Sequence, residues 1–195
     1  MSSIKPILFN TEMTIAVEEN RKTQTRRLVS PTPPADARLV MSPDPDNRYA
    51  WDESRELPDL GPHDRRVYYP RYYPGDILYV RETWAEWEGG YVFKADPVPA
   101  YPHSFVDRWY PSIHMPKEAA RIFLRVTDVR VERLQNISRE SAIAEGCNGA
   151  IPILEFKRIW NSTLKHMDHI RYGWAANPWV WVYSFERCEK PEEWK

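Results

Sequence analysis

Apolar and polar positions in this chain fall into about six short stretches of strand-like alternation and three of helical spacing, interspersed along its length. Ile7-Leu8-Phe9 is an apolar run after Pro6 and suits a first strand. From Phe9 the apolar positions step to Met13, Ala16 and Val17, which predicts a helix capped by Asn10 with Glu12 in its first turn. Asn20 suits a left-handed stop, because asparagine tolerates positive φ. The turn Pro74-Gly75-Asp76 leads into the clearest strand, Ile77 to Trp84, with Leu78, Val80, Glu82 and Trp84 on one face. A carboxylate on that face has to be paired or hydrogen-bonded. Tyr91–Ala95 reads as a further strand after the Gly89-Gly90 turn. The alternation from Arg121 to Leu134 turns Ile122, Leu124 and Val126 inward and predicts a bend near Asp128. Ser138 caps a short helix that runs through Glu145 and stops at Gly146. A further helix from about Ile153 to Leu164 carries the stripe Phe156, Ile159, Trp160. In Trp179–Glu186 aromatics fall on one face and valines on the other.

Between these elements the pattern lapses. Residues 30–74 hold nine prolines and little periodicity, which reads as an insertion of ordered loops. One short hairpin is expected there, near Arg38–Val40 and Tyr49–Trp51. Trp51, Tyr68, Tyr69, Tyr72 and Tyr73 indicate that the end of the insertion packs on something. Residues 96–120 hold five prolines and read as a long loop. Short strands joined by proline-rich connections predict one α+β domain over residues 1–195, built on a small barrel rather than a doubly wound sheet.

A net charge of −1 gives no global field for nucleic acid, so coating of long duplexes is excluded and any basic site must be local. The 9 Trp and 11 Tyr supply surfaces for packing or for base stacking. Cys147 and Cys188 lack ligand spacing and are expected to be reduced thiols. No apolar run approaches about 20 residues and Met1–Pro6 has no signal-peptide character, so the expectation is a cytoplasmic protein that crosses no membrane. Dinucleotide, P-loop and hydrolase-elbow motifs are absent from the sequence. His166 and His169 flank Asp168 without a third ligand, while His63, His103 and His114 are single, so neither a metal nor a cofactor is expected.

The densest chemistry lies in Asn20-Arg21-Lys22-Thr23-Gln24-Thr25-Arg26-Arg27. Residue types leave two readings open: a solvated basic strand, or one wall of a ligand site. Lys22 beside three arginines feels like-charge repulsion that favours its neutral, basic form, and Thr25 could then be a nucleophile or orient a ligand.

The pattern Asn20-x-Lys22-Thr23-x-Thr25-x-Arg27 resembles the signature of ASCH domains, which belong to the PUA-like superfamily of small β-barrels. Asn20 stands where that signature has glycine. Later stretches match in order: Pro74-Gly75-Asp76 into Leu78-Tyr79-Val80-Arg81-Glu82-x-Trp84, Val126-Thr127-Asp128-Val129, and Ala142-x-x-Glu145-Gly146. The ending Trp174-x-x-Asn177-Pro178-Trp179-Val180-Trp181-Val182-x-x-Phe185 is similar to longer ASCH proteins of phages and prophages. The resemblance implies a PUA-like barrel of about six strands whose cleft takes RNA, a single-stranded or modified base, or a modified nucleoside. One branch of the family hydrolyses N4-acetylcytidine, and its catalytic lysine, threonine and glutamate fall on Lys22, Thr25 and Glu145. Arg27, Glu82 and Trp84 are then candidates to line the cleft, with Arg21 and Arg26 facing solvent. A non-catalytic binder of RNA or a modified base, and a phage accessory protein, are the alternatives the resemblance also admits.

Overall fold

The chain opens with strand β1 (Ile4–Leu8), turns into helix α1 (Thr11–Glu18) and reverses into strand β2 (Gln24–Leu28). The side-chain oxygen of Asn10 accepts from Met13 N at 2.8 Å, which is the expected cap. Asn20 takes φ 57°, the expected left-handed stop, and lets Arg21 N and Lys22 N both return to Ala16 O. The computed structural model describes residues 3–44, 48–53, 66–88, 90–97 and 106–194. Residues 54–65 of the insertion, Gly89, His63 and His103 lie outside the described residues.

The insertion contributes β3 (Leu39–Met41) and β4 (Ala50–Asp52), the expected hairpin, and a third strand, β5 (Val67–Tyr68), that the proline-rich pattern concealed. Strand β6 (Ile77–Arg81) stops short of the predicted end. At Glu82 and Thr83 the chain leaves it for a separate hairpin of β7 (Trp84–Trp87) and β8 (Gly90–Phe93). There follow β9 (Phe123–Arg133), α2 (Arg139–Ala144), α3 (Pro152–Ser162), the short α4 (His169–Tyr172) and β10 (Trp179–Cys188). Ser138 and Gly146 bound α2 as the sequence indicates. Among the described residues no helix is long and apolar enough to cross a membrane.

The main sheet has the order β1-β6-β9-β10-β2, parallel between β1 and β6 and antiparallel elsewhere. Strand β10 divides two cores. Its Trp181, Tyr183 and Phe185 pack with Ile7, Phe9 and Leu78, while Val180 and Val182 pack with Leu134, Phe156 and Trp160 beneath α2 and α3. The bend expected near Asp128 is a bulge: Asp128 opposes Ser184 but Val126 opposes Phe185, leaving Thr127 unmatched. The extra residue shifts the buried positions of β9 from Leu124 and Val126 to Val129.

The fold is α+β, but the sheet does not close into the expected barrel. Among the described residues no ladder joins β1 to β2. Pro6 removes a donor from β1, which suits an edge strand and not the seam of a closed barrel. Side chains span the seam instead: Arg27 Nη2 donates to Leu8 O at 2.9 Å, and the Tyr72 hydroxyl donates to Pro6 O at 2.7 Å.

The far edge of this arrangement hangs on Asp76. Its carboxylate accepts from Ser3 N (3.0 Å), Ser3 Oγ (2.8 Å), Lys5 Nζ (2.7 Å) and Tyr73 N (2.9 Å), fastening the start of β1 to the turn that begins β6. Burial pushes its pKa up, but Lys5, Tyr73 and Ser3 outweigh burial and hold it below the ordinary value of 3.8. A depressed carboxylate contributes stability above the unfolded-state value, and that stability is lost as pH falls through the folded-state value. Asp76→Asn is therefore expected to lower the unfolding free energy by about 1–3 kcal/mol at neutral pH. In urea denaturation the deficit should shrink as pH falls from neutral to below the ordinary value of 3.8 and through the lower folded-state value; an equal deficit at neutral and acid pH would point to packing instead.

Candidate functional site

The turn at Asn20 returns the chain along α1 and lays Lys22 against the end of α2, where it forms an isolated antiparallel bridge with Glu145. Thr23 N donates to Ala144 O at 2.8 Å in the same contact. Gly146 makes this approach possible. Its φ is 99°, and a Cβ there would come within 2.8 Å of Ala16 Cβ and 3.4 Å of Lys22 Cβ. The helix end can thus rest directly on α1 and on the lysine stem.

Lys22 is fully enclosed, with 0% of its side chain exposed. Its three ammonium hydrogens meet three acceptors: Glu145 Oε2 at 2.7 Å, Gln24 O at 2.8 Å and Glu145 O at 2.9 Å. Burial lowers its pKa, while the carboxylate of Glu145 opposes that shift. The second oxygen of Glu145, Oε1, accepts from Arg26 Nη1 at 3.0 Å. Arg26 continues to Glu132 Oε1 through Nη2 (2.6 Å) and Nε (3.1 Å), and its guanidinium lies 5.6 Å from the Phe156 ring. Three cations and two carboxylates thus form one chain, Lys22–Glu145–Arg26–Glu132–Arg130, whose last member, joined through Nε to Glu132 Oε2 at 3.3 Å, is half-buried.

Arg26 is 2% exposed, which corrects the expectation that it faces solvent. The reason is strand parity. In the β2–β10 ladder Arg26 opposes Val182 and Leu28 opposes Val180, so both point under α2 and α3 rather than into water. Arg21 is partly buried, paired with Glu19 and donating to Gly146 O at 2.7 Å.

The other face of β2 carries Thr25 opposite Tyr183 and Arg27 opposite Trp181. Thr25 is 0% exposed, and its Oγ1 accepts from Arg27 Nη1 at 2.9 Å. Arg27 also donates to Arg26 O and to Leu8 O, both at 2.9 Å. All three acceptors are neutral. Among the described residues no carboxylate lies within ion-pairing distance of Arg27, although Lys22, Arg26 and Arg121 each have at least one. Burial is the main reason its pKa is lowered; Glu145 opposes the shift from farther off.

A cavity of about 900 Å³ wraps around the unpaired edge of β2, between β1 and α3. Trp181, Tyr183 and Phe156 form its aromatic floor, and Leu8, Met13 and Ile159 supply apolar wall. Arg26, Arg27, Arg71 and Arg81 bring positive charge to it, while Glu145, held by Lys22 and Arg26, is the one carboxylate lining it among the described residues. Arg81 is occupied with the carbonyls of Met115 (2.9 Å) and Ile113 (2.5 Å).

Of the six candidate residues, the structure therefore brings Glu145 and Arg27 to the cavity wall and sets Lys22 and Thr25 immediately behind it. Glu82 and Trp84 do not line it. Glu82 is 1% exposed and takes both Arg121 Nε (2.9 Å) and Arg121 Nη2 (3.0 Å), the pairing its burial demands. Trp84 packs beside Tyr110, Tyr91 and Phe93 in a separate core. The break after Arg81 carries both away from the sheet's seam. The cavity residues missed in the sequence are Arg71 and Tyr72 of the insertion. Their signal is the run Tyr68-Tyr69-Pro70-Arg71-Tyr72-Tyr73, an arginine interleaved with aromatics. Among the described residues no group of three or more His, Cys, Asp or Glu is placed to hold a metal ion.

Removing Glu145 would strand two buried cations. Glu145→Ala is expected to cost about 3–5 kcal/mol in chemical denaturation. A loss below about 1 kcal/mol would show that Lys22 and Arg26 find other partners.

No protein-family model matches this chain, and no curated protein matches it. Among solved structures, the chain is similar to the crystal structure of an ASCH domain from Lactobacillus crispatus JV V101, with 11% identity and a TM-score of 0.45. The likeness covers 95% of this chain and 79% of that one.

Proposed function

We propose that the cavity binds a nucleoside-containing ligand, free or within RNA, with Arg27 as the cation that meets its polar or anionic portion. The observation that carries this reading is the half-buried guanidinium of Arg27, held toward the cavity by three neutral acceptors and without a carboxylate partner among the described residues. A partly desolvated cation without a counterion is costly unless a ligand supplies the charge or the acceptors. The aromatic floor and apolar walls suit a planar base, and the resemblance of Asn20–Arg27 to the ASCH signature points to the same ligand class. Cavity volume also fits one nucleoside or nucleotide with room for surrounding water.

A second reading keeps Lys22, Thr25 and Glu145 as a catalytic group that hydrolyses an N4-acylated cytidine. It is favoured by the contact of Lys22 Nζ with Glu145 Oε2 at 2.7 Å, directly behind a carboxylate that lines the cavity. In that reaction Lys22 first passes a proton to Glu145, then takes the hydroxyl proton of Thr25 as its oxygen attacks the amide carbonyl, and Glu145 returns a proton to the exocyclic nitrogen, which leaves as the amine of cytidine. Water then releases acetate from the acyl-enzyme. Thr25 Oγ1 has to turn away from Arg27 to do this, and Lys22 has to give up one of three satisfied hydrogen bonds.

Calorimetric titration separates the readings. Cytidine, N4-acetylcytidine or a short oligoribonucleotide should bind, and Arg27→Gln should weaken binding by about 10-fold or more. Binding by none of the three, or unchanged affinity in Arg27→Gln, would contradict the proposal. Release of cytidine from N4-acetylcytidine, abolished in Thr25→Val while the variant stays folded, would establish the second reading in addition.

A further inference from the structure

The proline-rich insertion is not only an elaboration at the periphery. Its last turn supplies one side of the cavity, and Arg71 is the cation on that side. The backbone around Arg71 is held at three points. Its N–H donates to the Tyr183 hydroxyl at 3.1 Å, its carbonyl accepts from Lys5 Nζ at 3.1 Å, and the neighbouring Tyr72 hydroxyl donates to Pro6 O at 2.7 Å. Tyr72 also sits edge-on against Tyr183, with ring centroids 5.0 Å apart. These contacts fix the insertion to both β1 and β10 across the seam.

The guanidinium of Arg71 is treated differently from its backbone. It lies 5.6 Å from the Tyr72 ring, and among the described residues it meets no carboxylate. Arg27 faces the same cavity under the same condition. Of the other cations there, Arg26 is paired with Glu132 and Glu145, and Arg81, which like Arg27 meets neutral acceptors, donates to the carbonyls of Met115 and Ile113. Arg71 also adds to the lowering of the Arg27 pKa that burial begins, so the two positive charges feel each other. Two guanidiniums that line one cavity without a carboxylate partner repel, and both are relieved by a single multiply charged anion. A neutral sugar or base relieves neither.

We infer that Arg27 and Arg71 together form a phosphate subsite, so that the ligand is a nucleotide unit rather than a neutral nucleoside. The inference rests on the nucleoside-binding reading above and narrows its ligand class. It also gives the insertion a role: residues 69–72 bring Arg71 to the cavity. If the hydrolytic reading holds as well, the substrate is an N4-acylated cytidylate. A phosphate between two arginines is the same group whether it ends a free nucleotide or links two residues of RNA.

The test is a set of calorimetric titrations at fixed ionic strength with cytidine, cytidine 5′-monophosphate and a short oligoribonucleotide. The wild-type protein is compared with Arg71→Gln, an exposed substitution that leaves the core untouched. The wild type should prefer the monophosphate over cytidine by about 10-fold or more. Arg71→Gln should remove most of that preference while leaving the affinity for cytidine unchanged, and should reduce the salt slope of phosphate-ligand binding by about one. An Arg71-dependent gain larger for the oligonucleotide assigns the phosphate to RNA, and one equal to or larger for the monophosphate assigns it to a free nucleotide; either supports the subsite. Equal affinity for cytidine and its monophosphate, or a preference that survives Arg71→Gln, overturns the subsite and leaves the nucleoside-binding reading standing. Failure of all three ligands to bind removes both.

Discussion

The carboxylate of Glu145 is the joint on which the cavity side of the molecule depends. It closes the last turn of α2 onto the chain reversal after α1, and it neutralises Lys22 and Arg26 at once. Buried charges survive only in such company, since desolvation of each costs several kcal/mol and partial networks are worse than none. Through Glu132 the chain of charges continues from Arg26 to the half-buried Arg130. Its consequence is positional. Two of the cations in the basic stretch are fully committed to structure, and the residue left with its charge uncompensated is Arg27.

That division follows from strand parity acting on an edge strand. Arg26 and Arg27 are adjacent, so β2 must send them to opposite faces of the sheet. One face is roofed by α2 and α3 and demands a buried ion pair; the other opens on the seam between β1 and β2. The sheet stays open there because β1 is an edge strand with a proline in it, and the seam is spanned by the Arg27 and Tyr72 side chains rather than by a ladder. An open seam lined by a fixed guanidinium, buried aromatics and a strap from the insertion leaves a cavity, whereas a closed barrel would have been a packed core.

Much of this was legible in the chain. Asn10, Asn20, Ser138 and Gly146 mark their helix ends by local chemistry that tertiary context does not alter, and the valine–aromatic alternation of β10 correctly separates the two cores. Lys22 and Glu145 meet in an ion pair, and Arg27 lines the same cavity as Glu145. Alternation could not reveal which face of β2 would be roofed, so Arg26 read as solvent-facing. Nor could it show where a strand leaves its sheet: Glu82 and Trp84 continue the period of β6, yet the chain departs at Arg81 and carries both into the Arg121 ion pair and a separate core. Arg71 was hidden for the opposite reason. It lies in a segment without periodicity, and its place depends on contacts from Lys5 and Tyr183, residues 66 and 112 positions away.

Lys22 and Arg26 are held by buried carboxylates, and we propose that Arg27 is the cation presented to a ligand. Arginine side-chain Nε–Hε resonances report this directly, because each guanidinium responds to its own hydrogen-bond partners. On titration with a pyrimidine nucleotide, the Arg27 resonance is expected to shift with ligand occupancy while that of Arg26, bound between Glu132 and Glu145, stays in place. A shift of Arg26 with Arg27 unmoved, or saturable binding that moves neither, would contradict the account.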